Sequence, residues 1–153
     1  MDLSKAKRGY FVGIGGVGVN ALAKFVADFG IQISGSDAKI NGLCNELIKN
    51  GAKIGKIPDF FELENADFLV FSSAIPSDNP EIAKAREKDI PVFERHEFLA
   101  RVSNLFGQTV AIAGTHGKTT VNNKGRNPFE FAVLIYKSDF YVRKFHISLL
   151  VWF

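Results

Sequence analysis

Tyr10-Phe11-Val12-Gly13-Ile14-Gly15-Gly16-Val17-Gly18 is an apolar run that breaks into a glycine loop. It has the grammar of a buried strand, a tight turn and the start of a helix. In that grammar Gly13 makes the turn, and Gly15 leaves out a Cβ where a diphosphate must approach. Gly18 lets the following helix pack closely on the sheet. Backbone N–H groups and the positive helix end then face a phosphate. Asp37 lies 19 residues beyond Gly18, where an acidic residue of this fold reaches a ribose or base. The bland alternatives are a structural glycine turn and, for Asp37, a turn residue of Gly35-Ser36-Asp37.

The pattern around the loop alternates strands with helices. Tyr10 to Ile14 lacks polar alternation, as a strand buried on both faces should. Val17 to Phe29 reads as a helix with Leu22, Phe25, Val26 and Phe29 on one face and Gly30 closing it. Gln32–Ser36 is a second strand, and Asn41 to Asn50 a second helix closed by Gly51. Phe68–Phe71 is another buried strand. Asn79-Pro80 caps and opens a helix to about Lys88. Ile90 to Phe93 and Thr109 to Ala113 add strands, with a helix from about Glu97 to Phe106 between them. Such alternation predicts an α/β fold, a Rossmann-like parallel sheet with flanking helices.

A second glycine loop follows the last of these strands. Gly114-Thr115-His116-Gly117-Lys118-Thr119-Thr120 is shorter than the common phosphate loop, whose first glycine is replaced by Ile112. Its chemistry is still legible. Lys118 can neutralise the β- and γ-phosphates of ATP, Thr119 can ligate Mg²⁺, and the N–H groups of Thr115 to Thr120 can form an anion nest. His116 reads as a loop residue shaping that nest rather than as a catalytic base.

Composition narrows the function classes. The net charge of +3 would suit nucleic acid, but residues 1–120 hold 14 basic and 14 acidic side chains. The whole excess lies in the last 33 residues, with 8 of the 19 aromatic residues, so the body is not built to bind nucleic acid. Cys44 is the single cysteine and reads as a packed small residue, which leaves no disulfide framework. His96 and His146 lack partners at ligand spacing. The polar start from Met1 to Arg8 is no signal peptide, and charges interrupt the apolar C-terminal stretch, so a cytoplasmic protein without a membrane partner is expected.

Ala113-Gly114-Thr115-His116-Gly117-Lys118-Thr119-Thr120 resembles the ATP loop of the Mur ligase family, which builds the peptide stem of bacterial cell wall. Phe11 to Gly18 with Ala21-Leu22-Ala23, and Ser34-Gly35-Ser36-Asp37, are similar to its alanine-adding branch. So are Ser72-Ser73-Ala74-Ile75, Asn79-Pro80-Glu81 and Arg95-x-Glu97-x-Leu99. These landmarks keep family order across about residues 9 to 120. The resemblance implies that the first domain holds the UDP of UDP-N-acetylmuramate rather than NAD. Gly15, Gly16 and Gly18 would line the diphosphate, Gly13 and Val17 would belong to the same UDP-sugar-binding set, Asp37 would face the uridine, and Ser72 and Ser73 would sit beside the nucleotide. ATP would phosphorylate the lactyl carboxylate, and the amine of L-alanine would displace the phosphate to give an amide.

After Thr120 the resemblance stops. The family continues as a long helix, whereas Gly125 and Pro128 here end any helix within about two turns. Three segments are therefore expected: 1–107 as the UDP-sugar-binding domain, 108–120 as the incomplete start of a central ATPase domain, and 121–153 as an atypical tail. The tail reads as an out-of-frame or truncated product, with a divergent docking segment as the alternative, and no turnover is expected of this chain alone. A non-catalytic UDP-sugar-binding module, an NAD-binding oxidoreductase domain and the family's recycled-peptide ligase remain as rival readings.

Overall fold

A computed structural model describes residues 3–103 and the backbone of residues 109–112, 131–135 and 148–152. The chain divides into two compact units, Met1–Leu99 and Ala100–Phe153.

The chain opens with a 3-10 turn, Leu3–Lys5, and then alternates strands and helices: β1 (Arg8–Val12), α1 (Val17–Ala27), β2 (Gln32–Ser36), α2 (Gly42–Lys49), β3 (Lys53–Gly55), α3 (Phe60–Glu64), β4 (Phe68–Phe71), α4 (Pro80–Glu87), β5 (Val92–Glu94) and α5 (Arg95–Ser103). The five strands form one parallel sheet in the order β3-β2-β1-β4-β5. The strand order reverses at β1, which places a crevice beyond its carboxyl end, where open α/β sheets bind ligands.

Both faces of the sheet are covered, which explains strands without polar alternation. Tyr10, Val12 and Leu69 point to one face and pack with Leu63 and Ala66 near α3 and with Ile82 and Ala85 of α4. Phe11 and Phe68 meet edge to face at 6.0 Å between ring centroids, and Phe68 stacks on Phe98 of α5 at 4.9 Å. Caps set the helix starts. Asn41 accepts the N–H groups of Leu43 and Cys44, Asp59 those of Phe61 and Glu62, and Asn79 those of Glu81 and Ile82. The expected α1 face holds at Leu22, Phe25 and Val26, but Phe29 is 50% exposed. The helix ends earlier, at Ala27, and Gly30 N–H closes on the Ala27 carbonyl at 2.8 Å.

The last expected strand is present, one residue shorter than Thr109 to Ala113. Thr109–Ile112 forms β6 but does not join the parallel sheet; it pairs antiparallel with β7 (Phe131–Ile135), which pairs antiparallel with β8 (Ser148–Trp152). Strand type was set by the apolar run, but pairing depends on partners far along the chain, which alternation alone does not encode. The second loop, Gly114 to Thr120, lies outside the described residues.

Candidate functional site

Three strand ends build the crevice. Val12, Ser36 and Phe71 are register partners across β1, β2 and β4, so the residues that follow them, Gly13, Asp37 and Ser72, share the carboxyl edge. Gly13 takes φ +73°, a conformation glycine adopts at little cost. The chain then reverses sharply: Gly13 and Ile14 donate to the Ser36 carbonyl at 2.9 and 3.2 Å, and Gly16 donates to the Gly13 carbonyl at 3.1 Å.

The neighbours of the glycines differ from the sequence-based expectation. The space a Gly15 Cβ would take is occupied by Asp37, whose Oδ2 would lie 2.8 Å away. Asp37 instead accepts the Gly15 N–H at 2.8 Å and, through its other oxygen, the Lys39 N–H at 2.8 Å. Asp37, which the resemblance sets facing the uridine, holds the loop through these two bonds. A Cβ on Gly18 would collide with the guanidinium of Arg95 rather than with the sheet. Burial lowers the Arg95 pKa, opposed by the neighbouring carboxylate of Glu94.

Asn41 and Asn20, which the sequence did not single out, add further anchors. Asn41 donates its Nδ2 to the Gly15 carbonyl at 2.9 Å while its oxygen caps α2. Buried Asn20 donates to the Ile14 carbonyl at 3.2 Å. Ser72 packs against Gly13, where a Cβ would stand 3.4 Å from the Ser72 Cβ, and its hydroxyl accepts the Ala74 N–H at 3.3 Å. Ser73 is exposed on the same edge, as is Val17 at the head of α1.

The result is a loop whose own amides are used internally, leading into a helix that is left open. Gly16 is the N-cap of α1 and supplies no side chain, in contrast to the capped α2, α3 and α4. The first intrahelical bond runs from Asn20 N–H to the Gly16 carbonyl at 2.9 Å. The amides of Val17, Gly18 and Val19 therefore have no partner in the helix ladder. Partial positive charge from the helix end and the Arg95 cation meet at that turn, an arrangement suited to an anion.

The sequence pattern of the Mur ligase family, catalytic domain, matches residues 8–106. The chain belongs to the Mur ligase family. UDP-N-acetylmuramate–L-alanine ligase of Clostridium perfringens is 44% identical over 119 residues, 76% of this chain and 26% of that protein. The ligase of the same name from Acetivibrio thermocellus is 37% identical over 123 residues, 80% of this chain and 26% of that protein. Among solved structures, UDP-N-acetylmuramate–alanine ligase from Thermotoga maritima superposes with a TM-score of 0.60 at 28% identity, over 65% of this chain and 23% of that one. A murein peptide ligase from Psychrobacter arcticus, at 22% identity and a TM-score of 0.56 over 62% of this chain and 20% of that one, shares the fold. The chain spans about a quarter of the length of the curated relatives it matches.

Two further findings bear on partners. Among the described residues, no helix is long and apolar enough to cross a membrane. Among the same residues, no cluster of three or more His, Cys, Asp or Glu side chains could hold a metal. Thr119, the expected Mg²⁺ ligand, lies outside them.

Proposed function

We propose that this chain is the sugar-nucleotide-binding part of a UDP-N-acetylmuramate–L-alanine ligase, and that its ligand is UDP-N-acetylmuramate. The observation that carries this is the open first turn of α1, set behind the Gly13 turn and beside Arg95 in a Mur ligase fold. A diphosphate placed there accepts from the Val17, Gly18 and Val19 amides and is neutralised by the guanidinium. Asp37 contributes by fixing the loop. Its carboxylate is engaged through both oxygens, on Gly15 and Lys39, and the named relatives are UDP-N-acetylmuramate ligases, which favours the uridine nucleotide over NAD.

In the whole ligase, this domain would hold the substrate while ATP and Mg²⁺, bound through Gly114, Thr115, His116, Gly117, Lys118, Thr119 and Thr120, activate its carboxylate for L-alanine. Calorimetric titration of the chain with UDP-N-acetylmuramate, UDP and NAD tests the binding role. Binding of both uridine nucleotides, with NAD weaker by at least about tenfold, is the expected result. Tighter binding of NAD overturns the proposal.

A further inference from the structure

Glu81 comes from the first turn of α4, where a glutamate ordinarily faces solvent and complements the helix dipole. Here it is only 3% exposed. Its Oε1 accepts the Tyr10 hydroxyl at 2.9 Å and the Ser36 hydroxyl at 2.5 Å. Tyr10 in turn accepts the Asp59 N–H at 3.3 Å. One carboxylate thus ties α4 to β1, to β2 and to the cap of α3. Burial, with the charge of Glu81, raises the Tyr10 pKa well above its ordinary value, so its proton stays on the phenol and points at the carboxylate.

Stability alone is a weak reason for this arrangement. A buried carboxylate loses several kcal/mol of solvation, and a well-packed apolar side chain at such a position is often as good or better. The Glu81 partner Tyr10 belongs to an apolar cluster with Leu63, Leu69, Ile82 and Ala85. What a carboxylate supplies and a leucine does not is a fixed acceptor for Ser36. The Ser36 carbonyl receives Gly13 and Ile14, and the next residue, Asp37, receives Gly15. Three consecutive loop amides hang on two residues, and one of those two is held from behind by Glu81.

We infer that Glu81 is a positioning residue for the nucleotide site: its carboxylate holds Ser36, which with Asp37 fixes the Gly13–Gly15 turn in its ligand-receiving shape. This rests on the proposal that the loop binds a uridine diphosphate sugar. The test uses the 153-residue chain with Glu81→Leu, which removes the acceptor, Ser36→Ala and the double variant. Affinity for UDP-N-acetylmuramate is measured by calorimetry, and amide hydrogen exchange by NMR. Each single variant is expected to weaken binding about tenfold, and the double variant no more than the worse single one, because both cut the same link. Exchange should quicken at Gly13 and Ile14 while Leu69 and Ala83 keep wild-type protection.

Wild-type affinity in a folded Glu81→Leu chain, additive losses in the double variant, or protection lost evenly across the sheet would each overturn the inference. If Glu81→Leu does not fold, Ser36→Ala leaves the Tyr10–Glu81 bond in place and decides by the same two measurements. If the wild-type chain binds no uridine nucleotide, the proposed function fails, and the exchange pattern at Gly13 and Ile14 still decides whether Glu81 positions the turn.

Discussion

The two ends of the parallel sheet each carry an aspartate bonded to two backbone amides, and they use it differently. At the carboxyl edge, half-buried Asp37 spends one oxygen on Gly15 and the other on Lys39, at 2.8 Å each. At the amino edge, exposed Asp67 spends a single oxygen on two adjacent amides, those of Lys7 and Arg8, at 2.6 and 2.8 Å. The first pins a loop from two sides; the second ties down an entering chain. The amino edge also holds a cavity of about 330 Å³, lined by Arg8, Gln32, Asn50, Lys53 and Glu62 among others. Open volume therefore points to the end opposite the proposed site. Lys53 and Glu62 pair with each other there, and α1 and α2 present their carbonyl ends, which repel phosphate. Amides rather than space mark the ligand edge.

The largest effect that would sharpen this contrast is at Gly15. Gly15→Val drives a branched side chain into Asp37 and toward the Lys39 carbonyl, which would lie 3.2 Å from its Cβ. UDP-N-acetylmuramate affinity should fall by at least about 100-fold, since the turn must open before any ligand is seated. Retained affinity by calorimetry would mean that the carboxyl edge is not the site.

The aspartates themselves give the intermediate effect. Asparagine at position 37 must turn an NH₂ toward either Gly15 or Lys39, leaving one donor facing another. Asp37→Asn should cost about 1–2 kcal/mol in urea unfolding and about tenfold in affinity. Asparagine at position 67 can keep its carbonyl oxygen on both Lys7 and Arg8, so Asp67→Asn should cost less than about 1 kcal/mol and leave affinity unchanged. Equal effects of the two substitutions on binding would break the comparison.

What was legible in the sequence followed from local pattern. β1 and β4 announce themselves as apolar runs ending in Gly13 and Ser72. β2, with Ile33 its one apolar residue, is read from its place between Gly30 and Asp37, and Asn79-Pro80 announces α4. β3 and α3 were missed because Lys53-Ile54-Gly55 offers a single apolar residue and Phe60–Glu64 little more than one turn. The site divides in the same way. The glycines and Asp37 are visible as a motif. Asn41 reaches Gly15 across 26 positions, and Glu81 reaches Ser36 across 45, and no spacing rule links such pairs. Asn79-Pro80-Glu81 was visible as a helix start, but an acid in a first turn normally reads as a solvent-facing partner of the dipole, so its inward turn carried no local signal.

The smallest expected effect concerns a second helix start on the same edge. α2 begins at Gly42 directly behind Asn41, whose oxygen already takes the Leu43 and Cys44 amides at 3.0 and 3.1 Å. Its N-terminus is thus occupied by its own cap, where that of α1 is open. A Cβ on Gly42 would meet nothing within 4 Å. Gly42→Ala should therefore stabilise the chain by about 0.5 kcal/mol, through a smaller loss of backbone entropy on folding. Affinity for UDP-N-acetylmuramate should stay within about twofold, less than a hydrogen bond's worth. A modest rise in the urea midpoint with unchanged calorimetric affinity would restrict the anion site to α1. Loss of affinity in a more stable variant would instead extend it to the first turn of α2, and the contrast between an open and a capped helix end would no longer explain where the ligand sits.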